Sequence, residues 1–322
     1  SYIWDWLQER GEIVALLDCP RTTFQPGTDT KTNVLFFRRH KGLRATSSNS
    51  VTRIAVAVHC GHDRRGRSQY ADGRSYADDF PAIASKFHLS DSPESPWSSV
   101  SLGNQRYLVP RYHVALEHET PDEAQLTKGA KLATLQELVR KGLITVRKGH
   151  EVGSDAYGTG DVPFVRTSDI SNFEVSCDPT KSISDELYAE FGPQQQLQAG
   201  DLLIVVDGRY RIGTTALLTP NNARCVVQSH LRIVGTPQRE LLNPYELLFA
   251  LNLPSVKTRL RALVFIQSTL GTLGSRLYEL RIPLLHGDGP WAERLESFRK
   301  ALDQRDLLLA KLNAMAGPEV EL

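Results

Sequence analysis

The chain has 322 residues, 38 Lys and Arg against 37 Asp and Glu, a formal charge of +1, and 40% apolar residues. At roughly 150 residues per domain that is room for about two domains. The balanced charge excludes a polybasic or acidic tail and a membrane-surface peptide, so a nucleic-acid site has to be a local patch.

No stretch approaches the roughly 20 apolar residues of a membrane span, and no secretory signal opens the chain. Cys19, Cys60, Cys177 and Cys225 are scattered, with no C-x-x-C pair. This argues against a disulfide framework or zinc ribbon and for a reducing, cytoplasmic setting. His59, Cys60 and His62 lie close in sequence, but a metal site needs further ligands at usable spacing. A strand end and its loop is the simpler reading, and no metal is expected.

The chain opens on Ser1 rather than Met, which suggests a portion of a larger protein. Residues 1–10 read as helix. Residues 12–19, 33–39 and 53–59 read as strands, the last with the continuous apolar character of a sheet covered on both faces. Residues 60–74 are polar and Arg-rich. Residues 78–87 read as a helix with Asp79 near its N-cap and Pro81 in its first turn. The Ser- and Pro-rich stretch 90–104 reads as a linker, and the apolar-aromatic 106–114 as packed.

A second domain is expected from about Lys128. Lys131–Lys141 has the amphipathic pattern of a helix, with Gly142 as its C-cap. Short β-branched runs at 144–147, 162–167, 202–206, 214–218 and 226–234 predict a mostly antiparallel barrel or curled sheet. Helices are expected at 243–251 and 255–265, broken by Pro254, then a strand at 277–282. Residues 291–315 predict a long helix whose Leu295, Phe298, Leu302, Leu309 and Leu312 form an association stripe for another helix.

Five segments come in a specific order: Arg166-Thr167-Ser168-Asp169-Ile170, Gly200-Asp201-Leu202-Leu203, Ile212-Gly213, the paired-helix segment from 247, and Ile282-Pro283-Leu284. Together they resemble one target recognition domain of the type I restriction–modification specificity subunits, over roughly half the chain. The resemblance implies a domain that binds duplex DNA and reads one half of a split target, followed by a spacer helix, the place held by 291–315. Residues 13–39 and 54–67, with Gly61-His62-Asp63 leading to Gly66, resemble the late strands of the adenine-N6 DNA methyltransferase fold. Cys19 departs from the aliphatic residue expected before Pro20. Neither a Gly-rich S-adenosylmethionine loop nor an Asn/Asp-Pro-Pro-Tyr motif occurs. The resemblance therefore places the catalytic motif upstream of residue 1, with S-adenosylmethionine a cofactor of the full-length protein and none for this portion, which should not methylate DNA by itself.

The fold class implied is α+β. Residues 1–89 would be the C-terminal portion of the methyltransferase domain, 90–127 a crossing linker, 128–286 the recognition domain and 287–322 the spacer helix. The function implied is delivery of a sequence-specific DNA site to the methyltransferase pocket, by base flipping.

Phosphates are met by Lys and Arg, and bases by polar side chains at groove edges. Lys257, Arg259, Arg261 and Arg276 are candidate phosphate contacts; a solvated helix face with a flexible turn is the bland alternative. Arg209, Tyr210 and Arg211 form a candidate groove-entering hairpin tip, Arg pairing bidentately with guanine. Arg64, Arg65 and Arg67 are candidate backbone contacts in a loop after a strand. Arg166 is a candidate, against pairing with Asp169 inside its own turn. The run 194–196 of Gln matches adenine edges or a solvated loop. Phe24 and Thr28–Thr32 fall where the resemblance puts the side of the catalytic pocket, with packing the simpler role for Phe24.

The partners implied are duplex DNA, the upstream methyltransferase half, and a second copy or other restriction-system subunits, with no membrane. The alternative of another class is a protein–protein module of a restriction complex with negligible DNA contact. One continuous cationic face on 253–281 would favour DNA, and scattered cations the interaction module. A stand-alone enzyme using His59, His62 and Asp63 is the third reading, and no nucleophile stands near them in sequence.

Overall fold

The strand Gly11–Asp18 sits inside a four-stranded sheet. It pairs antiparallel with Asn33–Arg39 and parallel with Val51–Val56, which pairs antiparallel with Trp97–Ser101. Side chains alternate across a strand, and a register shift between Ile13 and Ala15 puts Ile13 on the face of Leu16, so this strand's apolar residues feed two cores. Ala15, Leu17 and Cys19 pack with Ala55, Ile83 and Trp97, while Ile13 and Leu16 pack with Ile54 and Leu108. The Trp97 indole donates to the Ile83 carbonyl at 2.8 Å. Trp97–Ser101 is thus a sheet strand and not part of a linker over 90–104; its β-branched and aromatic residues outweigh the flanking Ser and Pro.

The computed structural model describes residues 2–40, 51–89, 91–92, 94–101, 108–115, 120–208, 211–267, 270–285 and 289–316. The chain divides into two units, Ser1–His118 with Thr258–Glu279, and Glu119–Lys257 with Leu280–Leu322. These boundaries differ from the four expected segments, because the strand at 97–101 and the helix Pro110–Ala115 belong to the first unit. Tyr112 on that helix is 2% exposed and its hydroxyl donates to the Glu279 carbonyl at 3.0 Å.

The helix expected at 78–87 is shorter, Phe80–Ser85, and Asp79 holds its N-cap position without a side-chain cap bond. Its Oδ2 instead accepts the N–H groups of Val58 and His59 at 2.6 and 2.8 Å. Phe24 is 52% exposed, so it is not the packed residue expected. In the same loop, Lys31 turns inward onto the Asp18 carboxylate and the Cys19 carbonyl. Burial lowers the Lys31 ammonium pKa, and Asp18 opposes that shift.

In the second unit, the expected helix over 131–141 divides. Lys131–Thr134 is a strand paired antiparallel with Arg281–Leu284, and the helix is Leu135–Arg140. Thr134 Oγ1 accepts the Glu137 N–H at 3.1 Å, and Glu137 Oε2 accepts the Thr134 N–H at 2.8 Å. This is the reciprocal capping box of a Thr-x-x-Glu sequence. The bond to the Thr134 N–H holds the Glu137 carboxyl below its ordinary range. Thr134→Ala should lower stability by about 1 kcal/mol, read as a drop in the urea midpoint, while Thr134→Ser should restore most of it.

The main sheet of this unit runs in the order Thr215–Leu217, Leu202–Val205, Leu231–Gly235, Thr145–Lys148, all antiparallel. Its strand order is open and does not close into the expected barrel. Every residue of Leu202–Val205 is buried. Leu203 and Val205 join Val165, Ile170, Ala216, Val227, Leu231 and Ile233 in one core. The expected strand at 226–234 is two: Val226–Val227 runs parallel to Phe164–Val165, and a turn separates it from Leu231–Gly235.

Pro254 opens the helix Pro254–Leu263, following Pro244–Leu251. Beyond Leu263 comes a hairpin, Phe265–Gln267 with Leu270–Thr272, then a 3₁₀ turn at Gly274–Glu279. Residues 268–269, between these two strands, lie outside the described ones. The final strand is Arg281–Leu284 rather than 277–282. The long helix is Pro290–Ala316, 27 residues or about 40 Å at 1.5 Å per residue. Among the described residues, no helix is long and apolar enough to cross a membrane.

Candidate nucleic-acid interface

Residues 59–79 leave the sheet and fold into two lobes. Three backbone bonds close them in a ring: Gly61 N–H to the Ala77 carbonyl at 2.7 Å, Gln69 N–H to Gly61 at 2.9 Å, and Ala77 N–H to Gln69 at 2.9 Å. Gly61 and Gly66 adopt φ of 81° and 75°, left-handed conformations that favour glycine. Asp63 Oδ1 accepts the N–H groups of Arg65 and Arg67 at 2.8 and 2.9 Å. Those bonds to Arg67 and Arg65 hold its carboxyl below the ordinary range. The carboxylate is spent on building the first lobe, which leaves Arg64, Arg65 and Arg67 exposed on it.

This disfavours the stand-alone-enzyme reading. His62 Nδ1 lies 3.0 Å from the Asp63 carbonyl oxygen, so the ring is engaged by backbone. No group of three or more His, Cys, Asp or Glu able to hold a metal occurs among the described residues.

Arg166 does not face outward to read bases. Its Nε and Nη2 reach Asp169 at 3.2 and 3.1 Å, and Nη2 reaches Asp178 at 3.2 Å. Asp169, 6% exposed, also accepts the Arg166 N–H at 2.8 Å and the Ser168 hydroxyl at 2.9 Å. The Arg-Thr-x-Asp-Ile segment is thus a self-contained clasp. Arg211, expected at a groove-entering tip, donates to the Ile170 carbonyl at 2.7 Å. Arg209 and Tyr210 lie outside the described residues.

Gln195 neither reads bases nor sits in a solvated loop. It is 0% exposed; its Oε1 accepts the Val227 N–H at 2.8 Å, and its Nε2 donates to the Val227 carbonyl at 2.9 Å.

The cations of 253–281 do not share one face. Arg259 is 1% exposed, in line with Val256, Leu260 and Leu263, all at or below 1%. At 100° per residue it points about 200° away from Lys257. Buried in that row, it is not available as a phosphate contact. Lys257 is half-buried and Arg261 exposed, and these two share a side of the helix. Arg276 is half-buried and donates to the Leu263 carbonyl at 3.2 Å.

The long helix divides along its length. Trp291 and Leu302 are buried at 2% and 6%, with Leu295 and Phe298 half-buried. Phe298 packs on Phe173 and Phe249, centroids 5.3 and 5.5 Å apart. Tyr245 donates its hydroxyl to Asp303 at 2.8 Å, and burial together with that carboxylate pushes its pKa up to about 12. Farther on, Leu307, Leu308 and Leu312 are 57–60% exposed and Met315 is 83% exposed, while Leu309 is half-buried. The expected stripe therefore begins on the helix's own unit and ends bare.

Sequence reasoning missed Tyr70, Arg74 and Tyr76, all exposed on the second lobe of 59–79. The interleaving of Arg and Tyr in that run was the signal that marks them.

No protein-family model matches the sequence, and no curated protein matches it. Among solved structures, the chain is similar to the type I restriction–modification system S subunit from M. genitalium, with TM-score 0.38 and 16% identity over 57% of this chain and 42% of that one. It is similar to the HsdS subunit from Thermoanaerobacter tengcongensis, with TM-score 0.34 and 20% identity over 65% of this chain and 45% of that one. A third likeness, at TM-score 0.35 and 17% identity, covers 73% of this chain and 63% of a chain described under complex assembly and conformational transition of the type I R-M system. The chain spans less than two thirds of each of these structures.

Proposed function

We propose that this chain is the sequence-specific DNA-recognition portion of a restriction–modification or phage-defence adenine-N6 DNA methyltransferase. One observation carries the reading. The Arg166–Ile170 clasp, the strand after Gly200-Asp201, the Ile212-Gly213 entry to the next strand and the Ile282-Pro283-Leu284 strand fold into a single unit that runs on into the long helix. That is the order in which the specificity-subunit resemblance strings them. The mixed parallel and antiparallel sheet of residues 11–101 supports the methyltransferase part of the reading. In this reading the methyl donor is S-adenosylmethionine and the chemistry belongs to a catalytic half with the motifs this sequence lacks. Duplex DNA and other restriction-system subunits are the partners, and the compartment is the cytoplasm. Selection from a random duplex pool should return one short motif, half of a split target; a pool that returns no motif contradicts the reading.

A second reading, a protein–protein module, is favoured by the inward turn of Arg259 and by the bare end of the long helix. Leu308, Leu312 and Met315 recur at the i, i+4, i+7 spacing of a helix–helix seam. Covering each large side chain is worth roughly 1.5–3 kcal/mol. Leu308→Asp with Leu312→Asp should abolish self-association or subunit capture in sedimentation while leaving the far-ultraviolet dichroism intact. An unchanged sedimentation profile contradicts that role.

A further inference from the structure

The second lobe of residues 59–79 has no part in the reading above. Tyr70 and Tyr76 form a bridge and stack with centroids 5.0 Å apart and planes 22° off parallel. They are 50% and 61% exposed. Between them Asp72 Oδ1 accepts the N–H groups of Arg74 and Ser75 at 2.9 and 2.6 Å, which fixes the turn, while Gly73 takes φ of 78°. The bonds to Ser75 and Arg74 hold the Asp72 carboxyl low.

The loop's acids turn onto backbone N–H groups in the same way. Asp63 and Asp72 close the two turns, Asp78 Oδ1 accepts the Phe80 N–H at 3.0 Å, and Asp79 accepts those of Val58 and His59. Arg64, Arg65, Arg67 and Arg74 are exposed, as are the tyrosine pair and Asp72. A flat aromatic pair held on a rigid lobe next to guanidinium groups suits a polyanion that also carries flat rings, which is a nucleic acid. In a paired duplex the faces of the bases are covered by their neighbours, so an aromatic face finds a partner only where a base is unstacked.

We infer that this two-lobed loop binds a DNA strand at an unpaired base. Arg64, Arg65, Arg67 and Arg74 neutralise the flanking phosphates, and the outer face of the Tyr70–Tyr76 stack receives the base. The inference rests on the DNA-recognition reading, and its test separates the two.

The full chain is titrated by fluorescence anisotropy with a fully paired duplex and with the same duplex carrying a short unpaired bulge. The bulged duplex should bind roughly five- to hundredfold tighter, the range that stacking one base supplies. Tyr70→Ser with Tyr76→Ser should erase that preference, and Tyr70→Phe with Tyr76→Phe should keep it. Equal affinity of the wild type for the two DNAs, or a preference that survives in the serine variant, overturns the inference alone. No binding to either DNA overturns the DNA-recognition reading itself.

Discussion

Asp169→Ala should be among the most destabilising single changes in the second unit, costing about 3 kcal/mol. The carboxylate is 6% exposed and gathers the Arg166 guanidinium, the Arg166 N–H and the Ser168 hydroxyl. Removing it leaves a guanidinium that is 20% exposed with only the half-exposed Asp178 nearby. The expected result is a large fall in the urea midpoint without a change in slope. Asp169→Asn, which keeps the shape but weakens the charge pairing, should fall between. If Arg166 were a base reader, Arg166→Ala would relax DNA preference with stability intact; the clasp predicts lost stability instead.

Much of the fold was legible because local patterns agreed with tertiary demands. Ala15, Leu16 and Leu17 are buried in succession, as an apolar run with no polar gap demands, and Leu202–Val205 reads the same way. Lys131–Thr134 has helix-compatible residues, but pairing with Arg281–Leu284, some 150 residues on, outweighs propensity. Trp97–Ser101 was masked by flanking Ser and Pro.

The candidate site was less legible, because a charge's side of an element decides its role. Arg259 sits in register with Val256, Leu260 and Leu263, a row the helical period reveals once charge is set aside. Arg166 pairs with Asp169, and the exposed Arg211 puts one N–H on the Ile170 carbonyl, contacts that only the folded turn brings into reach. In the two-lobed loop the aspartates keep their charge but turn onto backbone N–H groups, and the arginine side chains stay exposed.

Replacing Arg64, Arg65 and Arg67 together by Gln should have the second large effect. Each phosphate contact adds about 0.9 to the salt slope of log affinity, so the triple variant should lose about 2.7. Arg261→Gln should lower the slope by at most one contact. Arg259→Ala should leave the slope unchanged, since that side chain is 1% exposed, and lower the unfolding midpoint instead. A triple variant with the wild-type slope removes the first lobe from the interface.

DNA recognition by this chain requires that it bind duplex DNA through cation–phosphate contacts. Anisotropy titrations of the wild type and the Arg64/Arg65/Arg67 variant against one duplex, across a series of salt concentrations, test that most directly. The prediction is a straight, steep fall of log affinity with log salt for the wild type and a visibly shallower line for the variant. Failure of the wild type to bind any duplex at low salt, or binding that does not respond to salt, would contradict it.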